Sequence, residues 1–175
     1  MKSFILGKHL LNDGEPPLFL PEIGTFFNKD IILAKEMIIK LGNAGVHVIK
    51  GEVLHDVDIA LNDDLQEVYY ANDGSKVTEK YRELIERKVV PISEYETLYG
   101  LCKNMGMEFI LSVYDKEGAE FAKDMGACAL KIASSNIVHQ PVIEYVSKLS
   151  TPLVIDTGKS TLEEVARAVQ WAEDA

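Results

Sequence analysis

Four short apolar segments of this chain are preceded by the same local pattern. In each case a stretch with helically spaced apolar residues ends near a lysine, and a turn that contains glycine or proline follows. The apolar segments then cover residues 46–49, 108–111, 127–130 and 153–155. Lysine in a last helical turn and glycine just beyond it are helix-stop signals. The segments have the length and the nearly continuous apolar character of strands that are buried on both faces.

A fifth apolar segment and several helix starts complete the pattern. Residues 18–20 form the fifth segment, near the start of the chain. N-caps are indicated by Asn28 or Asp30 before the helical spacing of 31–41, and by capping-box patterns at 93–96 and 160–163. Repeated βα units predict an α/β fold with a parallel sheet and right-handed crossovers. An open, doubly wound sheet and a closed barrel both satisfy that rule.

Residues 52–87 interrupt this alternation. They contain ten acidic and four basic residues, a balance of −6 that is more than half of the chain's net charge of −10. We expect a long acidic loop insertion with a hairpin-like piece around 72–74 and a helical turn near 80–86. A loop of this length within a compact domain is often functional, but a solvated acidic excursion explains the same composition.

The composition limits the class of protein. The chain has 175 residues, of which 47% are hydrophobic and 26% charged, and residues 1–175 fit one globular domain. No apolar run approaches the roughly 18 residues of a membrane span, and the start lacks a signal-peptide pattern. The acidic balance argues against nucleic-acid binding. Two cysteines without metal-site spacing predict neither a disulfide framework nor a zinc site, and we expect a cytoplasmic protein.

Polar or charged residues stand at the end of each predicted strand, which is the ligand-binding end of parallel α/β folds. The candidate site residues are Glu22, Lys50, Glu52, Ser112, Lys131, Ser134, Asn136 and Asp156. Lys50 and Lys131 are the most informative, because a lysine next to a buried strand must reach a partner or a ligand. Two lysines on one face suggest an anionic substrate, such as a phosphate or a carboxylate.

Other roles for these residues stay open at this stage. Lys131 could form a Schiff base with a carbonyl substrate. Glu22 and Glu52 could neutralise the lysines, bind a sugar hydroxyl or move a proton. The sequence Gly-Lys-Ser at 158–160 is not a P-loop, because the glycine required five residues earlier is Leu153. The amides that open the following helix could still hold an anion. The spacing of the histidines predicts no metal site.

Together these segments resemble a known family. Pro-Pro-Leu-Phe-Leu-Pro-Glu-Ile-Gly at 16–24, Val-Ile-Lys at 48–50, Leu-Lys-Ile-Ala-Ser at 130–134 and Asp-Thr-Gly-Lys-Ser-Thr-Leu-Glu-Glu at 156–164 occur in that order. This series resembles the N-acetylneuraminate (sialic acid) synthase family, which includes legionaminate and pseudaminate synthases and related spore-coat polysaccharide enzymes. The resemblance implies a TIM (β/α)8 barrel, of which this chain carries about the first five βα units, and usually a following antifreeze-like domain in a homodimer.

The resemblance also implies an activity. Members of the family are transferases of carbohydrate biosynthesis that condense phosphoenolpyruvate with an N-acetylated amino sugar, such as N-acetylmannosamine. A divalent metal, Mn or Mg, polarises the sugar aldehyde; water then adds at C2 and phosphate leaves. By position, Lys50 and Lys131 match the lysines that hold phosphoenolpyruvate. Ser112 and Ser134 match residues of the same pocket, and Glu22 matches a glutamate that faces the sugar.

Several positions depart from the family pattern. Asn-His of the family is Phe26-Phe27 here, Lys-Phe-Gln is Lys-Gly-Glu at 50–52, a glutamate is Asn136, and Ser-Thr-Gly-Met is Asp-Thr-Gly-Lys at 156–159. These departures favour a divergent member with an altered sugar acceptor, or one that has lost the reaction. The family's metal-binding histidines lie beyond residue 175. We therefore expect this chain alone to have little synthase activity.

Three functional hypotheses follow. The first is the N-terminal part of a sialic acid synthase-like barrel that binds phosphoenolpyruvate and a sugar. The second is a Schiff-base aldolase that uses Lys131, and the third is a degenerate, non-catalytic barrel module in a sugar-biosynthesis protein. In each, strand edges that a barrel fragment leaves open predict a homodimer or pairing with a C-terminal half, with no nucleic acid or membrane as partner.

Overall fold

The computed structural model describes residues 3–175, and its helices and strands alternate along most of the chain. In chain order the strands are β1 (Phe4–Leu6), β2 (His9–Leu11), β3 (Glu22–Gly24), β4 (Val48–Val53), β5 (Gln66–Tyr70), β6 (Lys76–Lys80), β7 (Glu108–Val113), β8 (Ala129–Ile132) and β9 (Leu153–Ile155). The α-helices are α1 (Ile31–Asn43), α2 (Tyr81–Glu86), α3 (Ile92–Asn104), α4 (Lys116–Asp124), α5 (Gln140–Ser147) and α6 (Leu162–Asp174).

Five strands form one parallel sheet in the order β3-β4-β7-β8-β9. Sheet neighbours therefore follow one another along the chain, with a helical crossover between each pair. A doubly wound sheet reverses its strand order at a switch point, whereas a barrel keeps one direction throughout. The fold is thus part of a TIM barrel with five βα units, which confirms the predicted α/β class.

The two faces of this sheet have different neighbours. On the outer face, side chains such as Ile49, Leu111 and Leu130 pack with the helices in the main core. On the inner face, Val48, Ile110 and Ala129 form a second, smaller core with Leu6 of β1. The hairpin of β1 and β2 therefore covers the inner face at the amino ends of the strands.

The start of the sheet differs from the sequence prediction. The first strand of the parallel sheet is β3, not residues 18–20, and the β1–β2 hairpin was not predicted. Residues 18–20 lie between Pro17 and Pro21, which have no amide hydrogen to donate to a ladder.

The helix caps agree only in part with their prediction. Asp30 caps α1 by accepting a hydrogen bond from the Leu33 amide at 2.9 Å. A capping box does open α6, but it pairs Thr161 with Glu164, one residue later than predicted. The capping box predicted at 93–96 is wrong, because α3 begins at Ile92 directly after Pro91.

The acidic segment is folded rather than an irregular loop. Residues 52 and 53 belong to β4, so the excursion begins only after Val53. The predicted hairpin is confirmed as β5 and β6, which pair antiparallel around a turn at Asp73 and Gly74. The predicted helical turn is α2. No helix among residues 3–175 is long and apolar enough to cross a membrane.

Gly51 allows an unusually close approach between β4 and α3. It lies on the outer face of β4, and a β-carbon placed there would lie 3.1 Å from Cε1 and Cζ of Tyr99, and closer still to its hydroxyl. Tyr99 is fully buried, and its hydroxyl donates a hydrogen bond to the Glu52 carbonyl at 2.9 Å. The tyrosine ring thus fills the space that the glycine leaves.

We predict that Gly51→Ala destabilises the fold by ~1–3 kcal/mol, because Tyr99 is packed on all sides and cannot retreat. The measurement is the free energy of unfolding from urea denaturation. Gly100→Ala is the matched control, since its added β-carbon meets no atom within 4 Å in the interior of α3. The control should gain ~0.5–1 kcal/mol from helix propensity. A Gly51→Ala protein as stable as the wild type would contradict this account of the packing.

The β5–β6 hairpin carries a pH-sensitive bond. The Arg87 guanidinium, with help from the Tyr69 hydroxyl, lowers the pKa of Glu79 from 4.5 to about 2. Arg87 Nη2 and Tyr69 Oη each donate to Glu79 Oε1 at 2.7 Å. A carboxyl group whose pKa is lowered by folding stabilises the folded form above its unfolded pKa, and that contribution is lost as the pH falls through the lower value.

We predict that the hairpin loosens as the pH falls through about 2, the pKa at which Glu79 becomes protonated in the folded chain. NMR chemical shifts of the β5 and β6 amides should follow this transition. In Glu79→Gln the same amides should be displaced at pH 6 and vary little with acid. Glu86→Gln, on the exposed side of α2, serves as the control and should retain the wild-type profile. If Glu79→Gln showed the wild-type pH dependence of these amide shifts, Glu79 would not be the group that titrates.

Candidate functional site

The inner face of the sheet carries polar side chains at the carboxyl ends of its strands. Glu52, Ser112 and Lys131 are register partners across β4, β7 and β8, so they lie side by side in one row. Lys50 lies two residues before Glu52 on the same face, and its register partner on β3 is Glu22. The lysines stand within their strands rather than after them, which corrects the sequence interpretation. Parallel neighbours face the same way, and this places the row inside the partial barrel.

Both lysines are paired with carboxylates. The Lys50 ammonium contacts Glu22 Oε1, and Lys131 Nζ lies 2.8 Å from Asp156 Oδ2. The lysine side chains are only 13% and 14% exposed. The Lys131 ammonium and the Gly158 amide lower the pKa of Asp156, and the charge of Lys50 adds to this effect. Each ammonium therefore has the partner that its burial requires.

Glu52 is bound differently. Its Oε2 accepts a hydrogen bond from the Tyr114 hydroxyl at 2.9 Å, and it forms no ion pair among the bonds of residues 3–175. Burial, together with the neighbouring Glu52 charge, raises the pKa of Tyr114. Sequence reasoning did not single out Tyr114 as a site residue. Its position two residues after Ser112, on the same side of β7, is the alternation that could have identified it.

Ser112, Ser134 and Asn136 differ in position at the carboxyl ends of the strands. Ser112 is 1% exposed and lies between the Glu52 and Lys131 positions. Ser134 opens the short 3-10 turn after β8, and a β-carbon on Gly158 would lie 3.4 Å from its Oγ. Asn136 is turned away from the lysines, since its Nδ2 donates to the Tyr114 carbonyl at 3.4 Å. The structure thus brings Glu22, Asp156 and Ser112 to the lysines, whereas Ser134 lies beside Gly158 and Asn136 binds the Tyr114 backbone.

Two departures from the family pattern are packing positions. Phe27 is 1% exposed in the main core, and Gly51 faces Tyr99 on the outer side of the sheet. Both positions thus belong to the packing of the main core and lie away from the row of polar side chains on the inner face. Phe26 is 68% exposed. It borders a cleft of about 250 Å³ that is also lined by Glu52, Tyr114 and Lys88.

The described residues provide no set of metal ligands. No group of three or more His, Cys, Asp or Glu side chains among residues 3–175 could hold an ion. His55 is hydrogen-bonded to Asp115, with Nε2 3.0 Å from Oδ2. The residues present therefore do not fit the divalent metal that the resemblance implies, and no chemical step is routed through one.

A capping box already uses backbone amides at the start of α6, where the sequence had suggested an anion site. The Thr161 amide donates to Glu164 Oε2 at 2.8 Å, and the Glu164 amide donates to Thr161 Oγ1. Glu163 and Glu164 place two negative charges in the first turn of the helix. An anion is therefore not favoured there.

Curated relatives cover nearly the whole chain. It is 25% identical over 150 residues to N,N'-diacetyllegionaminic acid synthase of Legionella pneumophila, covering 86% of this chain and 42% of that protein. It is 28% identical over 158 residues to N-acetylneuraminate-9-phosphate synthase of Drosophila melanogaster, covering 89% and 41%. The chain thus spans less than half the length of these curated relatives.

A solved structure agrees in fold, and a family model agrees in sequence. The N-acetylneuraminic acid (sialic acid) synthetase of Leptospira borgpetersenii superimposes with a TM-score of 0.81 at 18% identity, covering 99% of this chain and 55% of that one. Residues 37–175 match the model of the NeuB family. Because that match includes most of the chain, the protein belongs to the NeuB family.

Proposed function

We propose that the protein to which this chain contributes condenses phosphoenolpyruvate with a sugar aldehyde and releases phosphate. The observation that carries the proposal is the pair of inner-face lysines, Lys50 and Lys131, on the two strands that flank β7 and its buried Ser112. Membership of the NeuB family and the names of the relatives support it. In this proposal the described segment supplies the phosphoenolpyruvate half of the site.

The charges of the inner face suit an anion that exchanges with side-chain carboxylates. Phosphoenolpyruvate carries a phosphate and a carboxylate, and each can take over one ammonium from Glu22 or Asp156. Charge-assisted hydrogen bonds of this kind are the stronger class. Ser112 is the register partner of Lys131, and Ser134 Oγ lies beside Gly158 as Asp156 does, so both hydroxyl groups can donate to the same ligand.

The proposed reaction balances without a further reactant except water. C3 of phosphoenolpyruvate forms a bond to the aldehyde carbon, and the aldehyde oxygen takes up a proton. Water adds to C2, and phosphate leaves from C2, so a 2-keto acid remains. Glu22 Oε1 and Glu52 Oε1 both lie beside Gly24, and we assign these two carboxyl groups to the sugar side, where they bind hydroxyls or move that proton.

Partner and location belong to the same proposal. Strands β3 and β9 are the edges of the sheet, and their open ladders favour pairing with the remaining strands of a barrel or with a second copy of the chain. Cys102 and Cys128 are free thiols, which supports a cytoplasmic location.

We predict that phosphoenolpyruvate binds this chain and raises its melting temperature. At 100 times its dissociation constant a ligand adds about 2.7 kcal/mol to stability. Lys131→Ala should abolish the shift, whereas Lys40→Ala, in the last turn of α1, should retain it. Asp156→Ser should bind about tenfold more tightly, because removal of its carboxylate frees Lys131 for the ligand and restores the serine of the family pattern. Absence of any shift in the wild type and in Asp156→Ser would reject the proposal and favour a non-catalytic barrel module.

We predict that Lys131 forms no imine. Lys131 Nζ lies 2.8 Å from Asp156 Oδ2, so the nitrogen that would attack a carbonyl carbon is already bound to a carboxylate. Borohydride treatment with pyruvate or a sugar aldehyde should therefore leave the mass of the protein unchanged. A covalent adduct on Lys131, absent from Lys131→Arg, would instead establish the aldolase alternative.

A further inference from the structure

The loop after β9 carries two departures from the family pattern, and their charges are opposite. Ser-Thr-Gly-Met of the family is Asp-Thr-Gly-Lys at 156–159, so a negative charge enters at Asp156 and a positive charge at Lys159. The loop contains a tight turn, in which the Ser160 amide donates to the Thr157 carbonyl at 3.2 Å. The formal charge of this short segment is therefore the same as in the family pattern, although two side chains differ.

Both oxygens of the Asp156 carboxylate already have partners. Oδ1 accepts a hydrogen bond from the Gly158 amide at 3.1 Å, and Oδ2 lies 2.8 Å from Lys131 Nζ. Lys131 is thus the cation that balances Asp156 in this structure. In the proposed function phosphoenolpyruvate takes over that ammonium, and the Asp156 carboxylate then loses its partner next to an incoming anion. An unbalanced negative charge at this place repels the ligand.

Lys159 is a cation without a partner in the same loop. Its side chain forms no ion pair among residues 3–175. Lys159 and Asp156 line one cavity of about 710 Å³. Two further acidic residues border this cavity, but Glu164 is engaged in the capping box of α6 and Glu67 belongs to β5. The lysine therefore shares the space into which the Asp156 carboxylate would be released.

The backbone at Lys159 is unusual for a lysine. Its φ of +58° lies in the left-handed region, which residues other than glycine seldom adopt. Strained residues of this kind cluster at ligand-binding sites. Lysine also carries its charge on a flexible four-carbon stem, so its ammonium can move between solvent and a carboxylate of the same loop without a change in the backbone.

We infer that Lys159 is a positioning residue for ligand binding, which takes over the Asp156 carboxylate when an anion occupies Lys131. The change from methionine to lysine thus offsets the change from serine to aspartate, and the two residues act as one pair. This inference rests on the proposed function, because the anion at Lys131 is phosphoenolpyruvate there. It assigns a role to a position at which the family pattern has an uncharged side chain.

A double-mutant cycle on the dissociation constant of phosphoenolpyruvate, measured by isothermal titration calorimetry, tests the pairing. Lys159→Met should weaken binding about tenfold, because Asp156 then repels the ligand without compensation. In the Asp156→Ser background the same change should alter the dissociation constant less than twofold. Lys159→Arg should stay within twofold of the wild type, because it retains the positive charge.

Lys148→Met is the matched control. Lys148 is the C-cap of α5, in the turn before β9, so this variant loses the same charge at the opposite end of the strand. It should bind phosphoenolpyruvate as the wild type does. If Lys159→Met does not fold, Lys159→Gln takes its place in the cycle.

An equal loss of affinity from Lys159→Met in both backgrounds would overturn the inference, because the lysine would then contact the ligand itself. Unchanged binding in Lys159→Met would also overturn it, as would equally weak binding in Lys159→Arg or in Lys148→Met. Absence of binding in both the wild type and Asp156→Ser is a different result, which rejects the proposed function and the inference with it.

Discussion

The site depends on the charge balance of two nearly buried ammonium groups, those of Lys50 and Lys131. Both sit on the inner face of a parallel sheet, mostly shielded from water, and a lone buried charge there would be costly. Each takes its carboxylate from an edge of the sheet: Glu22 belongs to β3, and Asp156 follows β9. The two ion pairs therefore connect each edge strand to its inner neighbour at the end where a ligand would enter.

The inner face changes character along the strands. Towards the amino ends it carries the small apolar core with Leu6 of the β1–β2 hairpin, and Glu108 there binds the hairpin, whereas at the carboxyl ends it carries the row from Glu52 to Lys131. Residues that stabilise the fold and residues of the candidate site therefore occupy opposite ends of the same face of the sheet. A ligand can exchange with carboxylates at the open end while the small core beneath remains packed.

The departures from the family pattern divide by the face on which they lie. Phe27 and Gly51 belong to the packing against the helices, and Tyr99 compensates for the missing side chain at Gly51. Glu52 and Asp156 face the inner side, where they change charge next to the two lysines. In the proposed function Glu52 and Asp156 lie where the ligands bind, whereas a comparison of aligned letters alone would weigh both groups equally.

The sequence by itself determined the alternation of helices and strands, the parallel sheet and most of the polar residues at its carboxyl end, because these depend on periodicity and on local stop signals. It did not reveal the β1–β2 hairpin or the true position of β3, since each of these strands has three residues, too few for a periodic pattern. Nor could it pair Lys131 with Asp156, or Glu52 with Tyr114. Those partners are 25 and 62 residues apart, and only the register of neighbouring strands brings them within hydrogen-bonding distance. The tertiary structure alone decided which charges are balanced and that Tyr114 binds the Glu52 carboxylate, because both follow from distances between strands that no local pattern encodes.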